Sequence, residues 1–102
     1  MVSIIIPTYT NHKGLIECLE SVKKYTDMSQ AEIIVVANGA PEETRPLATL
    51  WFDKPLGYAK AVNEGVKVAK GEYIVLLNDD CVLLPQPVDH WIEALKAPMV
   101  AS

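Results

Sequence analysis

The stretch Val2-Ser3-Ile4-Ile5-Ile6-Pro7 begins the chain with β-branched apolar residues, and a proline closes the run. A run of this kind is typical of a strand that is buried on both faces, as in a parallel sheet. Residues 32–37 form a second such run, and residues 48–52 and 73–77 indicate a third and a fourth strand. These strands predict that a buried parallel sheet is the frame of the fold.

The segments between the strands carry helical patterns. Asn11 is a suitable N-cap for a first helix, and Pro41 with the two acids after it fits the first turn of a short second helix. Gly57 begins a third helix, which is expected to end at Lys70-Gly71 with the glycine just beyond its last turn. Residues 87–97 are expected to form a fourth helix.

Apolar residues at helical spacing predict the inner faces of these helices. For the first helix they are Leu15, Ile16, Leu19 and Val22. For the third helix they are Tyr58, Ala61, Val62, Val66 and Ala69, and for the fourth Val88, Trp91, Ile92 and Leu95. The resulting order β-α-β-α-β-α-β-α implies an α/β fold with Rossmann-like α/β/α layers around a mainly parallel sheet of about four strands.

Length and composition bound the class of protein. The 102 residues suffice for one domain, and a chain that is 50% hydrophobic is not intrinsically disordered. The formal net charge of −4 argues against nucleic acid as the main partner. No apolar run is long enough to span a bilayer, and no basic region precedes the first one, so we expect no signal peptide. Cys18 and Cys81 form no CxxC pair, which favours two reduced thiols over a zinc site or a disulfide.

Three short polar segments follow the predicted strands. Ligands of open parallel sheets bind beyond the carboxyl ends of the strands. At those positions the chain carries Pro7-Thr8-Tyr9, Asn38-Gly39-Ala40 and Asn78-Asp79-Asp80. Because the carboxyl ends of parallel strands lie at one edge of a sheet, we expect the three segments to meet there.

The residue types at this edge suit a nucleotide diphosphate. Tyr9 offers an aromatic face for a base, Thr8 offers a hydroxyl, and Asn38 has an amide that can both donate and accept. Asp79 and Asp80 are oxygen ligands of the kind that hold Mg²⁺ together with phosphate oxygens. The chain has neither the G-x-G-x-x-G nor the G-x-x-x-x-G-K-[ST] pattern, so a metal would have to neutralise the phosphates.

Each of these residues also has an ordinary structural interpretation. Asn38-Gly39 is a common turn, Asp79-Asp80 can turn the chain after a strand, and Tyr9 can be a core or rim aromatic. Lys60 and Asn63 on the third predicted helix would normally be solvated. Their combination at one sheet edge is what favours a binding site.

Four segments carry the motif pattern of one enzyme family. They are a strand ending in Pro-Thr-Tyr (residues 3–9), a strand ending in Asn-Gly-Ala (32–40), a helix with a glycine start and an inner asparagine (57–65), and a Gly-Glu-Tyr strand ending in Asn-Asp-Asp (70–80). In this order and spacing they resemble the family 2 inverting glycosyltransferases with the GT-A fold. The resemblance covers nearly the whole chain.

The resemblance implies a hexosyltransferase-like enzyme of polysaccharide biosynthesis. The donor would be a UDP-, dTDP- or GDP-sugar, the acceptor a saccharide or a lipid-linked molecule, and the location the cytoplasm, where nucleotide sugars are made. The implied cofactor is Mg²⁺ or Mn²⁺, held by Asp80 and Asp79. The nucleotide-sugar-binding residues implied in the same way are Pro7, Thr8, Tyr9, Asn38, Gly57, Asn63 and Asp79. Lys60 is added as the expected nearby cation, because Val62 stands where the family often has a basic residue.

The chain departs from the family pattern at positions that bear on activity. Ala37 stands where many members carry an acid, Asn78 replaces the first carboxylate of the acidic motif, and Val62 replaces a basic residue. The general base of this family, which deprotonates the acceptor hydroxyl, lies after the acidic motif. There the chain has only Asp89 and Glu93 as acids, in no matching motif. We therefore expect residues 1–102 to be one shortened, donor-binding domain with little or no transfer activity, and we identify no catalytic residue.

Two other functions stay open. A degenerate, non-catalytic domain that serves assembly would fit the same departures, and its uncovered sheet or helix surface would favour a homo-oligomer. A nucleotidyltransferase uses a similar sheet and metal. Residues 7–11, however, lack the glycine-rich basic loop expected after the first strand of such an enzyme.

Overall fold

Strands and helices alternate along the chain in the computed structural model, which describes residues 1–88 and 90–96. The strands are β1 (Val2–Thr8), β2 (Ala31–Asn38), β3 (Leu50–Phe52) and β4 (Tyr73–Leu76). The helices are α1 (His12–Tyr25), α2 (Tyr58–Val68) and α3 (His90–Lys96), and a 3₁₀ helix covers Glu42–Leu47. The predicted order of elements is confirmed. The second helical segment takes 3₁₀ geometry, and Pro46 lies inside it, where it would remove a hydrogen bond from an α-helix.

The sheet is parallel throughout, with strand order β3-β2-β1-β4. Val2 in β1 pairs with Ala31 in β2 on one side and with Tyr73 in β4 on the other. The expected α/β fold with a parallel sheet is therefore confirmed. Because β1 lies between β2 and β4, the order of strands reverses next to β1.

Two apolar clusters cover the two faces of the sheet. On one face Ile4 and Ile6 of β1 pack in a cluster with Leu15 of α1 and Ile92 of α3. On the other face the cluster contains Ile5, Ile34, Val36 and Ala61, the last of which belongs to α2. The strands thus form the middle layer of an α/β/α arrangement.

The buried face of α1 keeps three of the four predicted residues and adds Cys18 and Ser21. Ile16 is 37% exposed, whereas Cys18 is fully buried. The stripe therefore runs through Leu15, Cys18, Leu19 and Val22, which is the i, i+3, i+4, i+7 spacing of one helical face. The predicted N-cap is confirmed, since Asn11 Oδ1 accepts a hydrogen bond from the Gly14 N–H at 3.2 Å.

Helix α2 crosses the sheet at closer range than its sequence suggests. A Cβ atom on Gly65 would lie 2.9 Å from Ile5 Cγ2, so the line of contact runs through Ala61 and Gly65. Tyr58 and Val66 are 55% and 43% exposed, and the prediction that they face inward is wrong. The small residues on α2 set the contact line because they permit the closest approach to the strands.

Strand β4 and helix α3 are less buried than predicted. Ile74 and Leu76 of β4 are 44% and 46% exposed, because β4 is an edge strand and α2 packs over β1 and β2. Val88 and Leu95 are also exposed, contrary to prediction; Val88 precedes the first residue of α3. Ile92 is fully buried as predicted.

A polar network joins the α2–β4 connection to the start of β1 and β2. Ser3 Oγ donates to Glu32 Oε2 at 2.6 Å, and the backbone N–H of Lys70 donates to the same oxygen at 2.7 Å. The N–H of Gly71 donates to Ser3 Oγ at 2.8 Å. The two hydrogen bonds to the carboxylate hold the pKa of Glu32 below its ordinary value, and the bond from Ser3 has the larger effect.

The role predicted for Gly71 is wrong. Helix α2 ends at Val68, and Gly71 lies against β1. A Cβ at this position would be 2.7 Å from Met1 O and from both Ser3 N and Ser3 Oγ. The glycine is required by this close approach of two backbones.

No helix in the described ranges is both long enough and apolar enough to cross a membrane.

We predict that Gly71→Ala lowers the free energy of unfolding by about 1–3 kcal/mol, because the added methyl group presses on the backbone of Met1 and Ser3. Lys70→Ala is the matched control, since it keeps the backbone N–H that bonds to Glu32, and it should change stability by less than about 0.5 kcal/mol. Urea denaturation measures both variants. Equal unfolding midpoints would contradict the prediction.

The Glu32 network predicts a pH-dependent contribution to stability. Since the folded-state pKa of Glu32 is lowered, its ionised form stabilises the fold above the pKa of the unfolded chain, and this contribution is lost as the pH falls through the folded-state pKa. Glu32→Gln should therefore melt at a lower temperature than the parent near pH 7, and the difference should shrink at acidic pH. Thermal unfolding over a pH series checks this against Glu43→Gln, which changes an exposed glutamate. A difference that is independent of pH would rule out the ionised carboxylate as its cause.

Candidate functional site

The reversal of strand order places two chain segments on either side of one crevice. Thr8 ends β1 and is followed by Tyr9, and β4 is followed within a few residues by Asn78 and Asp79. Both strands run in the same direction, so these residues lie at the same edge of the sheet. Such a switch point is where open α/β sheets commonly bind ligands.

A cavity of about 400 Å³ lies at this crevice. Its volume is within the range of sites for small molecules. The lining residues are Pro7, Thr8, Tyr9, Asn38, Pro55, Tyr58, Asn78, Asp79 and Asp80. The segments that follow β1, β2 and β4 therefore contribute to one cavity, and the chain around the start of α2 contributes Pro55 and Tyr58.

A hydrogen bond crosses the crevice. Thr8, only 3% exposed, donates from Oγ1 to Asp79 Oδ2 at 2.8 Å. This bond fixes one oxygen of the Asp79 carboxylate to the end of β1. Asp80, the next residue, is exposed at the cavity.

The buried thiol of Cys18 lies below the turn that carries these acids. Cys18 Sγ donates to the backbone oxygen of Asn78 at 3.7 Å, and the N–H of Cys81 donates to the same oxygen at 3.1 Å. The pKa of Cys18 is raised to about 11, mainly by burial and to a smaller extent by the nearby Cys81 and Asp79. The thiol is therefore a neutral donor near pH 7, and both cysteines are free thiols.

Asn38 ends β2 and holds the loop that leads to α2. Its Oδ1 accepts a hydrogen bond from the Leu56 N–H at 2.7 Å. Gly39 follows with φ 75°, and a Cβ there would lie 2.7 Å from Pro55 Cδ. Asn38-Gly39 therefore forms a turn, in agreement with its ordinary structural interpretation, and Asn38 also lines the cavity.

Pro55, Tyr58 and Asn78 line the cavity but are not among the predicted binding residues. The Tyr58 hydroxyl donates to Asn78 Oδ1 at 3.1 Å, which joins the first turn of α2 to the segment after β4. Helical spacing predicts Tyr58 in the core, and Asn78 is predicted at this edge of the sheet with Asp79 and Asp80 but without a role of its own. The sequence signal that could have placed Tyr58 near the site is its position directly after Gly57, the residue that precedes the first turn of α2.

Three of the predicted binding residues do not line the cavity. Lys60 and Asn63 are exposed on α2, and Gly57 precedes that helix with open space around its Cβ position. Lys60 was expected to be the nearby cation. In the described part of the chain, no lysine, arginine or histidine lines the cavity.

The cavity is acidic and offers oxygen ligands. Asp79 and Asp80 are the carboxylates in its lining. Among the described residues, no group of three or more His, Cys, Asp or Glu side chains could hold a metal ion. A cation at the two aspartates would therefore have to take further oxygens from a bound ligand or from water.

The two acids that follow the acidic motif do not add to the lining. Glu93 is exposed on α3. Asp89 lies outside the described residues.

Comparison with known proteins identifies one family. The profile of Glycosyl transferase family 2 matches residues 3–101. An uncharacterized glycosyltransferase of Rickettsia prowazekii is 35% identical over 103 residues, which cover 94% of this chain and 32% of the relative. Glycosyltransferase GlyG of Streptococcus pneumoniae is 30% identical over 94 residues, which cover 81% of this chain and 31% of the relative. The chain spans about a third of the length of these relatives.

A solved structure shares the fold. The crystal structure of S. aureus TarS 1-349 superimposes with a TM-score of 0.71 at 23% sequence identity, covering 93% of this chain and 31% of the chain in that structure. At this level of identity the likeness concerns the fold, and it agrees with the expected GT-A arrangement.

Thr8→Val tests the bond across the crevice. Removing the hydroxyl takes a donor from Asp79, and we expect the free energy of unfolding to fall by about 1 kcal/mol in urea denaturation. Thr10→Val makes the same change at an exposed threonine of the next loop and should have an effect below about 0.5 kcal/mol. Equal effects of the two substitutions would show that the Thr8–Asp79 bond contributes nothing to stability.

Proposed function

The chain belongs to glycosyl transferase family 2, and we propose that its cavity between β1 and β4 binds the nucleotide diphosphate of an activated sugar that is transferred to an acceptor hydroxyl. The observation that carries this proposal is the Thr8–Asp79 hydrogen bond. It brings the segments after β1 and β4 together at one cavity. That cavity is also lined by Tyr9, Asn38 and Asp80, so aromatic, amide and carboxylate groups are available to one ligand.

The lining residues suit different parts of a nucleotide sugar. Tyr9 and Tyr58 are each about half exposed and offer ring faces on which a base can stack. Asn38 supplies a polar group for the edge of the base. Asp79, anchored by Thr8, is proposed to lie near the ribose and the diphosphate.

A divalent cation fits the residues present. One oxygen of Asp79 is bonded to Thr8, its other oxygen has no partner among the described residues, and Asp80 is exposed beside it. Mg²⁺ is commonly held by one or two carboxylates together with phosphate oxygens of the substrate. We propose that Asp80, with Asp79, holds Mg²⁺ or Mn²⁺. When bound, such an ion supplies Lewis-acid stabilisation of the leaving diphosphate.

The charge of the cavity supports the involvement of a cation. A diphosphate placed beside two carboxylates would be repelled, and no cationic side chain among the described lining residues offsets this repulsion. The protein contributes neutral donors instead, such as the Thr8 hydroxyl. Binding of the diphosphate should therefore depend on the metal.

Transfer of the sugar also requires a general base. A bond forms between the acceptor oxygen and the anomeric carbon, the bond from that carbon to the diphosphate oxygen breaks, and the hydroxyl proton passes to a general base. No carboxylate other than Asp79 and Asp80 lines the cavity in the described part of the chain. For these residues we therefore propose donor binding, with a saccharide or a lipid-linked hydroxyl as the acceptor of the complete reaction.

Titration calorimetry with UDP, dTDP and GDP and their sugars, with and without Mn²⁺, tests the proposal. We expect at least one nucleotide to bind in a Mn²⁺-dependent manner. Asp80→Asn should weaken that binding about tenfold or more, because a metal ligand is lost. The matched control is Asp53→Asn, at an exposed aspartate outside the lining whose side chain accepts from Trp51 Nε1 at 2.7 Å, as an asparagine oxygen also can.

The outcomes separate the parts of the proposal. Nucleotide binding that is unchanged both by Mn²⁺ and by the Asp80→Asn substitution would overturn the metal site. Failure of every nucleotide to bind would overturn the donor site and favour the non-catalytic assembly function, which light scattering would then test as a homo-oligomer.

A further inference from the structure

Asn38 lines the cavity with its side-chain oxygen already engaged in a hydrogen bond. Its side-chain oxygen accepts from the Leu56 N–H at 2.7 Å. Because a backbone N–H can only donate, the end of the amide that faces Leu56 must be the oxygen. The oxygen keeps one lone pair, and the group that has no partner among the described residues is the Nδ2 amine, which can donate but cannot accept.

The amine of Asn38 is accessible. In the part of the chain that the structure describes, no buried side-chain nitrogen or oxygen lacks a hydrogen-bond partner. Asn38 makes one side-chain hydrogen bond there, through its oxygen. The amine therefore has accessible surface, and Asn38 lines the cavity.

The loop around Leu56 keeps the amide in this orientation. The Gly39 N–H donates to Phe52 O at 2.9 Å, and Gly39 packs so closely against Pro55 that a side chain would not fit. The loop is thus held on both sides of Leu56, by Pro55 against Gly39 and by the start of α2. Turning the amide over would place its amine against the Leu56 N–H and leave two donors facing each other.

We propose that Asn38 selects the base of the donor nucleotide as a hydrogen-bond donor, so that its amine contacts a carbonyl oxygen of the base and does not contact a ring N–H. This inference rests on the donor site proposed above. Uracil, thymine and guanine each carry a carbonyl oxygen next to a ring N–H, and only an acceptor can bind the N–H. The neighbouring Ala37 has no polar side-chain atom to serve as that acceptor.

Nucleotide analogues that differ at one position test the direction of this hydrogen bond. For a protein that binds UDP, the probes are 2-thio-UDP and 4-thio-UDP, which weaken one carbonyl acceptor each, and 3-methyl-UDP, which removes the ring N–H. For one that binds GDP, they are 6-thio-GDP and 1-methyl-GDP. In calorimetry with Mn²⁺ we expect one thio analogue to bind about fivefold more weakly or worse, and the methyl analogue to stay within about threefold of the parent.

Asn38→Asp reverses the polarity of the group without losing the loop contact. One carboxylate oxygen can still accept from the Leu56 N–H, while the other replaces the amine. We expect the variant to bind the parent nucleotide about tenfold more weakly, to lose its sensitivity to the thio analogues and to become sensitive to the methyl analogue. Asn11→Asp is the matched control, because Asn11 Oδ1 also accepts a backbone N–H, that of Gly14, and aspartate serves equally well as an N-cap.

Two results with the unchanged protein would overturn the inference. One is a loss of about tenfold or more on methylation of the ring N–H, and the other is unaltered binding of every thio analogue. In both cases the parent nucleotide still binds, so the proposed donor site would stand. If no nucleotide binds at all, the donor site fails and this inference fails with it.

Discussion

All seven residues of β1 are buried, and the strand is paired in parallel on both sides. Since β2 and β4 both begin opposite Val2, their carboxyl ends reach the same edge as the end of β1. The register of this central strand therefore decides which loops can meet. Thr8, its last residue, is still buried and bonds to Asp79, so the burial of one strand extends directly into the candidate site.

Much of this frame could be predicted, because its signals are local. The β-branched runs of β1 and β2, the cap at Asn11 and the alternation of elements each depend on a few neighbouring residues. The burial of α2 could not be predicted, because it depends on how closely Gly65 approaches Ile5, a contact between distant parts of the chain. Gly71 is a similar case: its neighbours in sequence indicate a helix end, whereas Met1 and Ser3 determine its actual role.

The same distinction applies to the site. The rule that ligands bind beyond the carboxyl ends of strands selected Thr8, Tyr9, Asn38 and the two aspartates, and the structure places all of them at one cavity. Lys60 was expected to substitute for the basic residue that the family pattern has at Val62, and it is exposed on α2 outside the cavity lining. The sequence also could not show which atom of the Asn38 side chain is available to a ligand, because its oxygen bonds to Leu56, 18 residues away. Sequence therefore indicates where a site lies better than which atoms of its side chains remain available.

The hydrogen bonds around the acidic turn distinguish it from a simple strand cap. A turn whose carboxylates serve only stability would gain from a lysine or arginine beside them. Here the donors are neutral: the Thr8 hydroxyl bonds to Asp79, and the Cys18 thiol bonds to the backbone of Asn78. Burial raises the pKa of that thiol, so it adds no negative charge at neutral pH. The described residues thus hold the turn in place without a cationic side chain beside Asp79 or Asp80, and this charge supports the proposal that a cation binds there together with an anionic ligand.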